Sequence, residues 1–259
     1  MSHTQRPSHV IFDFDGTLSW LRSGWPEVMV RLFASYLPEE TRSRPGVLPQ
    51  LRRDILALNG KPAIHQMHRF CAVAGELSAK PPAAPELLNL YSDLLAQTVQ
   101  GRIANVRSGA VPAAQYVIAG ALPLLAALRE RGLRLIILSG TIEPDVRSEA
   151  ELLGLKEFFG EHIYGATPGD GFSKKQVIDR ILHEEQIEGG HLLSFGDGPV
   201  EIEFTKAVGG RAVGVASDEH ANGSGVVDAD KREHLLRAGA DAIIPDYREA
   251  DWILKTFFA

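Results

Sequence analysis

Short continuous apolar runs recur along the chain, each followed by a polar or glycine turn and then by a segment whose apolar residues return at helical spacing. The pattern appears at HVIFDFD (9–15), RLIILSG (134–140), HLLSFGD (191–197), RAVGVAS (211–217) and DAIIPD (241–246). Strands of a parallel sheet look like this, because crossover helices cover both faces and leave no solvated side to alternate. Between the runs, ALPLLAALRERG places Leu122, Leu125 and Leu128 on one face and stops at Gly132. EPDVRSEAELLG stops at Gly154, and SKKQVIDRILHEE begins with Ser173 in the position of an N-cap. Strand and helix alternation predicts an α/β fold: a doubly wound parallel sheet with a Rossmann-like core.

Residues 20–115 break the rhythm. They hold no convincing strand, only amphipathic stretches around 25–37, 48–59, 62–74 and 85–100, punctuated by RSRPGVLP and SAKPPAAP. The segment predicts an α-helical domain inserted after the first strand. The core is then discontinuous, 1–19 with 116–259, and the insert is 20–115.

Composition narrows the class. With 259 residues, 44% hydrophobic and 23% charged, the chain can bury a full α/β core, and it carries no low-complexity tract or fixed-period repeat. A net charge of -6 and a pI near 5.9 argue against a nucleic-acid surface and leave small molecules or proteins as partners. The single Cys71 excludes an intrachain disulfide framework and reads as a core residue. MSHTQRPSH at the start has no apolar signal segment, and no run of 18 apolar residues occurs, so the expectation is a cytoplasmic protein with no membrane partner.

The chemistry concentrates at strand ends. In an open α/β sheet ligands bind beyond the carboxyl ends of the strands. There the first run ends in Asp13 and Asp15, the second in Ser139, Gly140 and Thr141, and the third in Gly196 and Asp197, with Glu201 shortly after. Four carboxylates, Asp13, Asp15, Asp197 and Glu201, converging in one crevice repel one another, at about 4 kcal/mol for each pair about 4 Å apart at an effective dielectric of roughly 20. A cation among them, or protonation, relieves this. Hard oxygen donors without His or Cys nearby point to Mg²⁺, and Lys174 is the supplementary positive charge. Ser139 and the backbone N–H groups around Gly140 can donate to phosphate oxygens. One aspartate can then attack phosphorus, while a second acid protonates the leaving alkoxide and activates water.

This constellation resembles the haloacid dehalogenase-like hydrolase superfamily, in its phosphatase branch with a helical cap inserted after the first motif. The resemblance rests on DFDGTLS (13–19), SGT (139–141), Lys174 and GDGPVE (196–201), in the family's order. It implies Asp13 as nucleophile and Asp15 as acid/base, with Ser139, Gly140 and Lys174 holding phosphate. It also implies Mg²⁺ bound by Asp13, the backbone carbonyl of Asp15 and Asp197, with Glu201 in support where many members have aspartate. Lys174, three residues before Val177, fits the third motif better than Lys175, which reads as a solvated helix end.

The function implied is hydrolysis of a small organic phosphomonoester, a small phosphorylated metabolite, through an aspartyl phosphate. Two alternatives use the same residues: a phosphosugar mutase, in which a sugar hydroxyl receives the phosphoryl group, and a non-catalytic phosphometabolite-binding module. A nucleotide-cofactor Rossmann module is disfavoured because no GxGxxG follows the first strand. His65 and His68 lack an acid at ligand spacing and read as packing or surface residues. Arg22, Trp25 and Arg69 each carry two readings, substrate recognition or cap structure.

Overall fold

The structure, a computed structural model, describes residues 5–58, 62–167 and 173–258. In chain order the elements are β1 (His9–Phe12), α1 (Trp25–Ser35), α2 (Glu39–Arg42), α3 (Val47–Leu56), α4 (Ile64–Val73), α5 (Ala84–Arg107) and α6 (Ala121–Glu130). There follow β2 (Arg134–Ile142), α7 (Glu143–Leu152), α8 (Lys156–Phe159), β3 (Ile163–Ala166), α9 (Lys174–Glu184) and β4 (Leu192–Gly196). The chain ends with α10 (Pro199–Ala207), β5 (Arg211–Val215), α11 (Ala229–Arg237), β6 (Ala242–Ile244) and α12 (Ala250–Phe258). The fold is the expected α/β type, a six-stranded sheet in the order β3-β2-β1-β4-β5-β6 with every pairing parallel.

The apolar runs became strands because both faces are covered. On one face Ile11, Ile136, Leu138 and Leu192 pack against Val177, Ile178 and Ile181 of α9. On the other, Phe12 stacks on Phe195 with centroids 4.9 Å apart, and Phe159 and Tyr247 meet Phe12 edge-on. Such aromatic contacts add to the burial of apolar area. The register places Phe12 beside Phe195, so β1 and β4 end level at the point where the strand order reverses.

Contacts divide the chain into two compact units: 1–21 with 103–259, and 22–102. The expected core boundaries were 19 and 116; the second division instead falls inside α5, whose helical spacing continues past residue 100. Near the insertion the chain leaves and rejoins the sheet unit side by side. Ser19 bridges Val117 in antiparallel fashion, Trp20 N donates to Tyr116 O at 2.8 Å, and Ile118 N donates to Leu18 O at 2.9 Å. Unit 22–102 holds its own core, in which Val28, Met29, Leu32 and Phe33 of α1 face Leu51, Ile55, Met67 and Phe70. Phe33 and Phe70 stack at 4.2 Å. Trp25 packs against this cluster, as does half-buried Cys71.

Three local expectations changed. The buried face of α6 is Leu124, Leu125 and Leu128; Leu122 lies beside it. Ser173 occupies the N-cap position of α9, but its side chain makes no capping bond. The second run does not end at Gly140; β2 continues to Ile142 through an irregularity opposite β3 between Leu138 and Ile142. Residue 59, the expected end of the second helical stretch of the insert, lies outside the described residues. His65 and His68 are exposed, and Arg69 pairs with Asp54 at 3.3 Å. Among the described residues no helix is long and apolar enough to cross a membrane.

Candidate active site

The turn after β1 shapes the site. The Phe14 carbonyl accepts hydrogen bonds from the N–H groups of Thr17, Leu18 and Ser19, and Gly16 N donates to Ser19 O, so the chain folds back tightly on itself. Gly16 takes φ +73°, and a Cβ there would lie 2.1 Å from Asp197 Oδ2. Glycine is therefore required twice over, for its left-handed backbone and for the close approach of an acid. Asp13 N donates to Phe195 O at 2.9 Å, which ties the first acid to the end of β4, two residues before Asp197.

Asp13 is 8% exposed. Its Oδ1 accepts from Lys174 Nζ at 2.8 Å and from Phe14 N at 2.8 Å. Among the described residues no donor reaches Oδ2. Lys174 Nζ also pairs with Glu201, so one lysine bridges the first and last acids of the constellation. Lys175 instead pairs with Asp179 one turn along α9, at the exposed surface. Half-buried Asp15 accepts a bond on Oδ2 from Thr141 Oγ1 at 2.7 Å. Ser139 is buried and its Oγ accepts from Thr141 N at 3.0 Å, so the irregular end of β2 is folded around it. Gly140 is exposed, and a Cβ there would meet open space.

A second lysine completes the site. Lys231 of α11 is 3% exposed and lies 3.2 Å from Asp197 Oδ2 and 2.5 Å from Glu219 Oε1. Its Nζ donates to Ser217 Oγ at 3.2 Å, and that hydroxyl donates to Gly16 O at 2.9 Å. Tyr247, fully buried on Phe12 and Phe195, has a hydroxyl with no hydrogen-bond partner among the described residues.

Sequence reasoning assigned none of Lys231, Glu219, Ser217 and Tyr247. ASDEHANGSG (216–225) has only the composition of a loop after a strand end, and DADKREHLLR is mostly charged, so neither marks its buried member. A cue did exist for Lys231: it shares a helix face with Leu235, i and i+4, and these are the two buried residues of α11.

The electrostatics follow from burial. Desolvation lifts Asp13 above the ordinary carboxylate value; Lys174 opposes the shift and Asp15 adds to it. Burial pushes Asp197 up to about 6, against Lys231, with Asp13 and Glu219 adding their repulsion. For Lys231 burial works against the charge, but Asp197 and Glu219 outweigh it and raise its pKa. The Tyr247 phenol is raised by burial and by the nearby charges of Asp197 and Asp13, so it stays protonated.

The donor set tests the implied metal. Asp13 and Asp197 stand at the ends of adjacent strands, feel each other's charge, and offer hard oxygens. Among the described residues no group of three or more His, Cys, Asp or Glu is arranged around a metal position. A cation here would be held by two carboxylates and backbone or solvent oxygen, a set that suits a Mg²⁺ ion keeping most of its water.

A parallel sheet with an acid beyond each of its two central strands, and a lysine beside each acid, is the arrangement of an α/β enzyme with its candidate site at the switch point of the fold. Comparison with known proteins makes the class specific. The sequence model of the haloacid dehalogenase-like hydrolase family matches residues 7–209, and the chain belongs to that family. It is 28% identical over 251 residues to a phosphoglycolate phosphatase of Rhodospirillum rubrum, covering 95% of this chain and 91% of that protein. In structure it resembles a haloacid dehalogenase-like protein of unknown function from Agrobacterium tumefaciens, with a TM-score of 0.69, 19% identity, and 96% and 98% of the two chains covered. It also resembles a hydrolase of the same family from Deinococcus radiodurans, solved with bound phosphate and sodium, with a TM-score of 0.63, 20% identity, and 97% and 96% coverage. At these identities the structural likeness establishes the fold.

Proposed function

We propose that the protein is a Mg²⁺-dependent phosphatase that hydrolyses a small organic phosphomonoester through an aspartyl phosphate on Asp13. The observation that carries this reading is the state of Asp13. Its carboxylate stands at the switch point, is fixed through Oδ1 by Lys174 and Phe14 N, and has Oδ2 without a donor among the described residues. The oxygen without a donor is the one suited to attack. The likeness to a phosphoglycolate phosphatase supports phosphate-ester chemistry.

In the first step an Asp13 oxygen forms a bond to phosphorus, the P–O bond to the leaving group breaks, and Asp15 delivers a proton to the departing alkoxide. Thr141 orients Asp15 for this through its hydroxyl. In the second step water attacks phosphorus, its proton passes to Asp15, and the bond between phosphorus and Asp13 breaks. Lys174 would steady the phosphate charge throughout, with Ser139 and the Gly140 backbone N–H as the expected donors to its oxygens. Mg²⁺ held by Asp13, the Asp15 carbonyl and Asp197, with Glu201 in support, would neutralise phosphate charge.

A phosphate-release screen over sugar phosphates, phosphoglycolate-like acids and nucleotides, with and without Mg²⁺, tests the reading. Turnover that requires Mg²⁺ and vanishes in Asp13→Asn is expected. An Asp13→Asn protein working at the parental rate, or isomerised sugar phosphate in place of free phosphate, contradicts it.

A further inference from the structure

The acids around the site are neutralised in two bridges. Lys174 joins Asp13 to Glu201, and Lys231 joins Asp197 to Glu219. The first bridge uses residues of the expected motifs. The second uses a lysine and a glutamate from outside them, on a helix and a loop that follow β5, and it is the more buried of the two lysines.

We infer that Lys231 is a positioning residue that sets the Asp197 carboxylate against the turn after β1 and so builds one wall of the cation position. The inference rests on the reading of Asp197 as a metal-holding residue. Three contacts carry it. Lys231 Nζ meets Asp197 on Oδ2, the same oxygen that closes against Gly16. Through Ser217 Oγ it is linked to the Gly16 carbonyl, one residue beyond Asp15. Glu219, 8% exposed, takes its remaining charge at 2.5 Å and prevents the ammonium from turning away.

Lys231 thus joins the two strand ends that must be in register for a cation to be held between them. With Oδ2 committed to the lysine, Oδ1 of Asp197 is left to a ligand. A lysine in a buried position costs desolvation unless it is paired and hydrogen-bonded; here two carboxylates and one hydroxyl supply the partners.

A charge effect and a positioning effect have opposite signs, which makes the inference testable. Removing a positive charge next to the site favours a cation, whereas releasing Asp197 disfavours it. The double variant Lys231→Met/Glu219→Gln removes the pair at constant net charge and keeps the side-chain volume. Calorimetric titration with Mg²⁺ alone, together with the Mg²⁺-dependent rise in melting temperature, reads affinity without turnover.

Positioning predicts affinity weaker by about 10- to 100-fold, the usual effect of losing a partner that orients a metal ligand. Kinetics at saturating Mg²⁺ should show a lower kcat with the KM of the phosphate ester within about twofold, since Lys231 touches no phosphate-facing group. Lys231→Arg, which keeps a donor to Asp197, should recover part of the affinity. A folded double variant that binds Mg²⁺ as tightly as the parent overturns the inference and leaves the phosphatase reading standing. A parent protein that binds no Mg²⁺ defeats that reading itself. If the double variant does not melt cooperatively, Ser217→Ala, which keeps every charge and cuts only the link to Gly16, takes its place, and unchanged Mg²⁺ affinity there also overturns the inference.

Discussion

Gly16→Ala isolates the demand that the turn after β1 places on one residue. At φ +73° an alanine costs about 1–2 kcal/mol of backbone strain. For a chain of this size, at about 2–4 °C per kcal/mol, that corresponds to a fall in melting temperature of about 2–8 °C. The larger effect is local. The new Cβ would stand 2.1 Å from Asp197 Oδ2, a distance real Cβ atoms do not show, so the carboxylate or the turn must retreat by about 1 Å. Misplacement of a site group on that scale costs about 100-fold in rate. Gly209→Ala is the control, because Gly209 has φ +88° and open space where its Cβ would go. Both variants should lose similar stability in thermal melts, while only Gly16→Ala loses turnover of an aryl phosphate. Turnover by Gly16→Ala within about threefold of Gly209→Ala would refute the close-approach reasoning.

Other perturbations probe different links. Lys174→Met leaves Asp13 and Glu201 buried without their shared cation and should lower kcat by about 10²–10³-fold, while Lys175→Met, at the exposed surface, should leave it unchanged; equal effects would contradict the assignment. Phe33→Ala opens the stack with Phe70 in unit 22–102 and should cost about 3–5 kcal/mol in denaturant unfolding, with hydrogen exchange rising in α1 and α4; a loss under about 1 kcal/mol would contradict that packing. Burial lowers the pKa of His9 below its ordinary 6.5, so below that pH the unfolded chain binds more protons and stability falls as pH drops through 6.5 toward the folded value. His162 is lowered for the same reason. His9→Gln should flatten the acid side of the stability curve, and an unchanged curve would show that His9 does not contribute.

What the sequence made legible depended on how local the physics was. β1, β2, β4 and β5 stood out as apolar runs because both faces of each are covered, and the edge strand β6 stood out through its unbroken AII although Ala242 and Ile243 are only half-buried. β3 did not, since IYGA is a four-residue edge strand interrupted by Gly165, with Ile163 its one β-branched residue and burial that alternates. The motif acids and Lys174 were legible from order and spacing. Lys231 was not, because α11 is mostly charged and only tertiary packing shows that one of its lysines points inward with Leu235. Tyr247 was hidden in a similar way: PDYREA looks like a solvated turn, yet its tyrosine lies fully buried against Phe12 and Phe195. The strand end at Ser139 was misplaced because the irregularity between Leu138 and Ile142 arises from pairing with β3, which carries no signal of its own.

The central claim is that Asp13 carries the phosphoryl group. Acid quench of a single turnover with a reactive phosphate ester and Mg²⁺, followed by peptide mass spectrometry, tests it directly. The account predicts a transient phosphoryl adduct on the peptide containing Asp13, absent in Asp13→Asn. Phosphate released at the same rate with no adduct at any quench time would contradict it.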